Sequence, residues 1–298
     1  MLEIDMATPA LKRLVGPHAS FDQIARDLKF SEGPAWNRRT GEFFYTDIVG
    51  DTIWKWKPGV GHAIVMRPSR YANGLTFDQD GRLLVAGWGG RTVWRMEHDG
   101  SITTLAAHHQ GKKLNSPNDI IVRSDGLIYF TDSFGGLCNV GMGFEDVQRY
   151  IDFAGVYCVA PDGTQLRVAT PDVFYPNGLC FSPNEKLLYV NDSRFGLINV
   201  YEVRRDGMLG KGSLFYQAVG PETGIPDGMK CDVEGNVYCT GPGGIHVIAP
   251  NGKLLGRLRI PDHTTNLGWG GDDWCSLYIT TYYGVYRTRL RVAGVPVW

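Results

Sequence analysis

Six short segments of the chain place an acidic or amide residue in front of an apolar run, and they recur roughly every 40 to 60 residues. Repeats of this length that are built from short strands are typical of a β-propeller, in which each repeat forms one blade. A residue at a fixed offset in every blade then faces one central channel. The six positions are Glu32, Asn73, Asn118, Asn177, Asp227 and Asn266.

The second repeat shows the expected unit most clearly. Its four β-prone segments are separated by turns that contain the Asp-Gly pairs 80–81 and 99–100. These pairs supply the positive φ that tight hairpins need. We therefore predict an all-β, six-bladed β-propeller with four-stranded antiparallel blades, a single domain over residues 1–298. The blades are predicted to begin near residues 30, 71, 116, 175, 225 and 264.

Two segments depart from this repeat. The sixth repeat has sequence for three strands only, and the strand-like segment 21–25 precedes the first repeat. We predict that this N-terminal segment supplies the missing outer strand and closes the ring, because closure removes exposed sheet edges. The third repeat is long because of an insertion over residues 135–154. Such a loop either covers the mouth of a pocket or has no functional role, and the sequence leaves both readings open.

The overall composition restricts the classes of binding partner that are expected. The 30 basic and 31 acidic residues give a net charge of −1, which argues against nucleic acid or an anionic membrane surface as a partner. The N-terminal segment lacks the apolar core of a signal peptide, and no apolar stretch is long enough to span a bilayer. Four of the six cysteines lie in apolar strand-like runs, as buried free thiols do in a reducing compartment. We expect a cytoplasmic protein, whose oligomeric state the sequence leaves open.

The six repeated residues can also be read as ordinary turn residues, since Asn and Asp before Gly favour turns. Glu32 is not a turn former, however, and the set precedes the innermost strand of each repeat. Carboxylate and amide oxygens suit one divalent cation; Ca²⁺ is the expected ion, with Zn²⁺, Mn²⁺, Mg²⁺ and Fe²⁺ as alternatives. Asp227 is the predicted general base, because the adjacent Gly228 leaves room for a reacting water. Asn73 and Asn266 are predicted to face the substrate.

Further residues are secondary candidates. The aromatic residues that could form a pocket wall are Trp88, Phe134, Tyr175 and Trp269. His263 could act at the channel mouth as an acid or base. The acidic residues that recur at the ends of second strands are Asp47, Asp132 and Asp192. For these three we expect a structural role in holding the neighbouring inner strand, with orientation of metal ligands as the alternative.

At these motifs the chain resembles the senescence-marker-protein, gluconolactonase and luciferin-regenerating-enzyme-like family. The resemblance runs from about Phe30 to Arg289 and includes Ser31-Glu32-Gly33-Pro34, Ser116-Pro117-Asn118-Asp119, Pro176-Asn177-Gly178-Leu179 and Ile225-Pro226-Asp227-Gly228-Met229. It implies a six-bladed propeller that opens a sugar lactone with water. Where the animal lactonases of the family carry an arginine, this chain has Ser116, a form more like bacterial lactonases and related organophosphate-cleaving propellers.

The resemblance also implies roles for individual residues. Glu32, Asn177 and Asp227 would hold the divalent cation, Asp227 would be the general base, and Asn118 would contact substrate or complete the coordination. The expected partner is a small lactone. Two alternatives stay open: a phosphotriester hydrolase that uses the same metal site, and a non-catalytic calcium-binding propeller.

Overall fold

Six antiparallel sheets surround a central channel, as the repeats predict, in a computed structural model that describes residues 2–138 and 146–297. Blade 1 contains the strands Ser31–Asn37, Glu42–Asp47, Thr52–Lys57 and Gly61–Met66. Blade 2 contains Leu75–Phe77, Leu83–Gly87, Thr92–Met96 and Ile102–Ala106. Blade 3 contains Ser116–Val122, Ile128–Ser133, Gly155–Val159 and Arg167–Thr170.

The remaining blades follow the same meander from the inner to the outer strand. Blade 4 contains Pro176–Phe181, Leu187–Asp192, Leu197–Glu202 and Ser213–Gln217. Blade 5 contains Met229–Cys231, Val237–Gly241, Gly244–Ile248 and Leu254–Arg259. Blade 6 contains Thr264–Gly270, Ser276–Thr281, Val285–Arg289 and the N-terminal strand Asp22–Ala25. A two-residue hairpin joins His108–His109 to Lys112–Lys113 between blades 2 and 3.

The predicted closure of the ring is confirmed. Asp22–Ala25 pairs with Val285–Arg289 as the outermost strand of blade 6, with Gln23 opposite Tyr286. The last blade is thus assembled from both ends of the chain, which removes a free edge from the ring.

The chain before this closing strand adds two elements that the repeats do not predict. Glu3–Asp5 pairs with Leu254–Arg259 as a fifth strand of blade 5. The helix Pro9–Val15 begins after Thr8, whose side chain accepts a hydrogen bond from the Leu11 amide, and buries its apolar face against blades 5 and 6. The only other helix in the described residues is the single turn Gly135–Cys138, and neither helix is long and apolar enough to cross a bilayer.

The hydrophobic core is divided among the blade interfaces. Six clusters of buried apolar side chains each join two successive blades, including the seam between blades 6 and 1, where Phe43 stacks on Tyr278. Sheets that pack face to face in this way bury the alternate side chains of each strand. The inner strands are therefore held in fixed positions around the channel.

Candidate active site

The starts of the inner strands are joined around the channel by hydrogen bonds to backbone carbonyls. Each blade is linked in this way to the next, so the chain of contacts is circular. The six links, in blade order, are Thr46 to Asn73 (3.1 Å), Gly74 to Asn118 (2.8 Å), Thr131 to Asn177 (2.8 Å), Gly178 to Asp227 (3.0 Å), Gly228 to Thr265 (2.8 Å) and Thr265 to Ser31 (2.6 Å). These bonds join the six chain segments that carry the residues predicted from the sequence.

Glycine follows the repeated residue because neighbouring blades approach closely here. A Cβ atom on Gly178 would lie 2.1 Å from the Asp227 carbonyl oxygen, and one on Gly228 would lie 1.9 Å from the Asn266 side chain. No side chain fits in that space. Packing between neighbouring blades therefore requires glycine at positions 178 and 228, a requirement that the reading as ordinary turn residues does not predict.

Glu32 is a buried carboxylate whose orientation is fixed by two donors. Its Oε2 atom accepts hydrogen bonds from the Gly33 amide at 2.7 Å and from Asn266 Nδ2 at 2.8 Å, and the residue is 2% exposed. Burial raises the pKa of Glu32 to about 7, and the negative charge of Asp119 adds to the rise. The two hydrogen bonds and the positive charge of Lys230 oppose it.

Asp227 faces the same space and is partly accessible to solvent. Its backbone is fixed by Thr240, whose Oγ1 accepts from the Asp227 amide at 2.7 Å, and by Asn191, which donates to its carbonyl. Burial raises the pKa of Asp227 well above its ordinary value, and the charges of Glu32 and Asp119 raise it further. A hydrogen bond from the Asn177 side chain lowers it.

Asp119 and Lys230 also belong to this cluster, although no role is predicted for either of them from the sequence. Asp119 is 2% exposed, and its Oδ2 atom lies 3.5 Å from Lys230 Nζ. The sequence carried one signal for Asp119: it follows Asn118 at the position where four other blades have glycine. Lys230 had no comparable signal, because its partner is 111 residues away in the chain.

The amide side chains of the ring differ in their contacts. Asn266 is fully engaged, since its Nδ2 donates to Glu32 and its Oδ1 accepts from the Leu267 amide at 2.8 Å. It therefore orients Glu32, and contact with substrate stays a prediction for it and for Asn73 and Asn118. The Oδ1 atoms of Asn73 and Asn177 are buried and have no hydrogen-bond partner.

This set of donors fits a divalent cation. Burial raises the pKa of both Glu32 and Asp227, and the charge of Glu32 raises that of Asp227 further, so ionising both carboxylates is costly. A cation between them would remove that cost, and the unpartnered Asn177 Oδ1 is an acceptor that a cation could satisfy. In the described part of the chain no three His, Cys, Asp or Glu residues form a metal-binding group, so the amide oxygen is needed to complete the set.

Aromatic residues lie beside Asp227, although not all those predicted. Its charge contributes to raising the pKa of Tyr175, to about 12, and that of Tyr282, after burial in both cases. The Tyr282 ring stacks on His263 at 4.2 Å between centroids and contacts Phe30 at 4.8 Å. His263 is thus part of this aromatic group, and burial lowers its pKa.

The other three residues predicted for the pocket wall have different surroundings. Trp269 is 4% exposed, packs edge-on against Tyr238 and lines a cavity further along the inner strands, so its assignment to the substrate pocket is wrong. The physical reason is that Trp269 lies three positions beyond the ring residue Asn266 along the inner strand. Trp88 is buried in its hairpin turn. Phe134 is covered by the Arg149 guanidinium, which lies 3.8 Å from the ring centroid.

The acidic residues at the ends of second strands hold the backbone that leads into the neighbouring inner strand. Asp47 accepts from the Phe30 amide at 2.9 Å, and Asp132 accepts from the Asn115 amide at 2.9 Å. Asp192 accepts from the Phe174 amide at 3.0 Å. The expected structural role of these three residues is confirmed.

Comparison with known proteins gives matches over most of the chain. Residues 30–283 match the family model described as SMP-30/Gluconolactonase/LRE-like region. The chain is 29% identical over 317 residues to a gluconolactonase of Zymomonas mobilis, covering 98% of this chain and 87% of the relative. It is 26% identical over 274 residues to a pentonolactonase of Haloferax volcanii, with 88% and 84% coverage. A solved gluconolactonase structure from Xanthomonas campestris superposes with a TM-score of 0.89 at 30% identity, covering 96% of this chain and 94% of that one.

The family match spans the inner strands of all six blades and includes each of the ring residues, from Glu32 to Asn266. Together with the six-bladed fold, it establishes that the chain belongs to the SMP-30/gluconolactonase/LRE-like family.

Proposed function

We propose that this protein is a lactonase that opens a sugar lactone with water and depends on one divalent cation, for which Ca²⁺ is the first choice. The observation that carries the proposal is the meeting of Glu32 and Asp227 in one channel, beside a buried amide oxygen of Asn177 that has no partner. The similarity to a gluconolactonase and a pentonolactonase supports the reaction class.

The proposed ligands are Glu32, Asn177 and Asp227. When bound, the cation would polarise the lactone carbonyl and keep both carboxylates ionised. Asn266 and the Gly33 amide hold Glu32 in place, so little reorganisation accompanies binding.

Asp227 carries the proton in this proposal. A water oxygen bonds to the carbonyl carbon while an oxygen of Asp227 takes a proton from that water. The carbon–oxygen bond of the ring then breaks, and the ring oxygen leaves as a hydroxyl group with the proton from Asp227. Partial access of solvent to Asp227 provides the water, and the neighbouring Tyr175 and Tyr282 offer apolar faces to a sugar ring.

The test is a substrate panel measured on one preparation. Five- and six-membered sugar lactones and a fluorophosphate are assayed before chelation, after chelation and after addition of Ca²⁺. We expect lactone hydrolysis that chelation abolishes and Ca²⁺ restores. Asp227→Asn is expected to lower kcat by at least about 10²-fold, whereas the exposed turn variant Asp99→Asn retains wild-type activity.

The other outcomes separate the alternatives. Turnover of the fluorophosphate without lactone turnover would identify a phosphotriester hydrolase. Loss of thermal stability on chelation without hydrolysis of either substrate would identify a non-catalytic calcium-binding propeller. Lactone hydrolysis that survives complete chelation would overturn the metal dependence but not the reaction class.

A further inference from the structure

A third buried carboxylate lies beside Glu32 and Asp227 and has no part in the proposed hydrolysis. Asp119 follows the ring residue of blade 3, where other blades have a residue without a charged side chain. The corresponding residues are Gly33, Gly74, Gly178, Gly228 and Leu267. Its charge raises the pKa of both Glu32 and Asp227. An extra negative charge at this point would be costly without a compensating group.

Lys230 provides that compensation from across the channel. Its Nζ atom lies 3.5 Å from Asp119 Oδ2 and donates to the Met229 carbonyl at 3.0 Å. The side chain is 19% exposed and also lines the cavity of about 460 Å³ that continues along the inner strands. Lys230 therefore stands between the ring and this cavity, at the inner side of the carboxylates.

We propose that Lys230 is the built-in counter-ion of the axial carboxylates and limits the site to a single divalent cation. Ionised Glu32, Asp119 and Asp227 carry three negative charges, and the Lys230 ammonium reduces the net charge to −2. One divalent cation then neutralises the cluster. The inference rests on the proposed metal site and adds a positioning residue and a stoichiometry to it.

The physical basis is that an ammonium on a covalent tether cannot dissociate. It repels a second cation from the inner side of the channel and keeps Asp119 paired when the first cation is absent. Without Lys230, the three carboxylates would have a net charge of −3. They would bind the first cation more tightly, and one negative charge would remain to attract a second cation. Lys230 would thus weaken cation binding while it stabilises the metal-free fold.

The experiment removes the charges singly and together. Chelator-treated wild type, Lys230→Met, Asp119→Asn and the double variant are titrated with Ca²⁺ by calorimetry, and their metal-free melting temperatures are measured. Lys230→Met should bind Ca²⁺ at least about tenfold more tightly or take up a second ion. Asp119→Asn should bind at least about tenfold more weakly, and the double variant should return to about the wild-type Kd with one ion.

A matched control is Lys55→Met, which removes a lysine that pairs with Glu42 at 2.9 Å in blade 1. It should leave the Ca²⁺ titration unchanged. Wild-type affinity in both Lys230→Met and Asp119→Asn would overturn the inference; if Lys230→Met does not fold, Asp119→Asn alone decides.

The metal-free melting temperatures separate this inference from the proposed function. Lys230→Met should melt below wild type, and adding Asp119→Asn should restore part of the loss, because the unpaired carboxylate has gone. That result is expected even if wild type binds no Ca²⁺, an outcome that would refute the metal site and the stoichiometry together. Equal melting temperatures of Lys230→Met and the double variant would refute the role of Lys230 as a counter-ion.

Discussion

Asn266 Nδ2 donates a hydrogen bond of 2.8 Å to Glu32 Oε2, across the seam where the last blade meets the first. The two residues are 234 positions apart in the chain. Glu32 can therefore adopt its observed orientation only after the propeller has closed. Closure of the ring and assembly of the site are the same structural event.

Removing this contact should weaken cation binding without unfolding the protein. Asn266→Ala deletes the donor to Glu32, and loss of a group that orients a ligand typically costs about ten- to a hundredfold in metal affinity. Calorimetric titration of the chelator-treated variant with Ca²⁺ measures the change. Asn251→Ala, in an exposed turn, is the control and should titrate like wild type. An unaltered Kd in Asn266→Ala would show that Glu32 needs no such support.

The metal-free protein should lose stability as the pH rises. The pKa of Glu32 is raised to about 7 in the folded state, so folded Glu32 keeps a proton that the unfolded chain has released above about pH 4.5. The contribution of Glu32 to the free energy of unfolding is fully present below about pH 4.5 and is lost as the pH rises to about 7. The loss amounts to at most about 3 kcal/mol.

Urea unfolding in the presence of chelator, between about pH 5 and about pH 8, measures this effect. Burial also raises the pKa of Asp132 to about 7 and the pKa values of Asp227 and Asp232, so the wild-type curve contains further contributions of the same sign. The variant Glu32→Gln isolates the contribution of Glu32, because the free energy of unfolding of this variant should fall less over this range than that of wild type. Parallel curves for the two proteins would contradict the raised pKa of Glu32.

A methyl group at Gly228 should disrupt the ring. The Cβ atom of Gly228→Ala would overlap the Asn266 side chain at 1.9 Å, so Asn266 must move away from Glu32. We expect a loss of several kcal/mol in the free energy of unfolding, since overpacking typically costs about 1–3 kcal/mol and a buried hydrogen bond is lost as well. Chemical denaturation compares it with Gly90→Ala, where the nearest atom is 3.5 Å from the added Cβ. Similar stabilities for the two variants would show that the blades can separate without cost.

Removal of the closing strand should unfold the propeller. Deletion of residues 1–28 takes away Asp22–Ala25 and leaves Val285–Arg289 as an open edge. It also removes Leu11 and Leu14, which are fully buried. Circular dichroism should show no cooperative melt. Deletion of residues 1–6, which removes the fifth strand of blade 5 and the ion pairs of Asp5 but keeps the closing strand, should lower the melting temperature and preserve cooperativity. A cooperative melt of the longer deletion at the wild-type temperature would disprove closure by this strand.

Local sequence patterns determined much of this structure. The repeat of an acidic or amide residue before each inner strand predicts six blades, and the incomplete sixth repeat predicts that Asp22–Ala25 completes it. The same offset predicts that Glu32, Asn177 and Asp227 meet. The inferences about the blades succeed because each blade is a local meander, so its register depends on consecutive residues. A shared cation site of the three ring residues stays a prediction.

Only the tertiary structure determines which residues contact the residues of the site. The pairing of Lys230 with Asp119, the support of Glu32 by Asn266 and the placement of Trp269 away from the mouth all depend on contacts between different blades. The short helix Pro9–Val15 is likewise stabilised by burial against blades 5 and 6 rather than by its own length. A periodic pattern states which residues reach the channel, but the atoms that meet there are set by how neighbouring blades pack, because that packing joins residues that no local pattern relates.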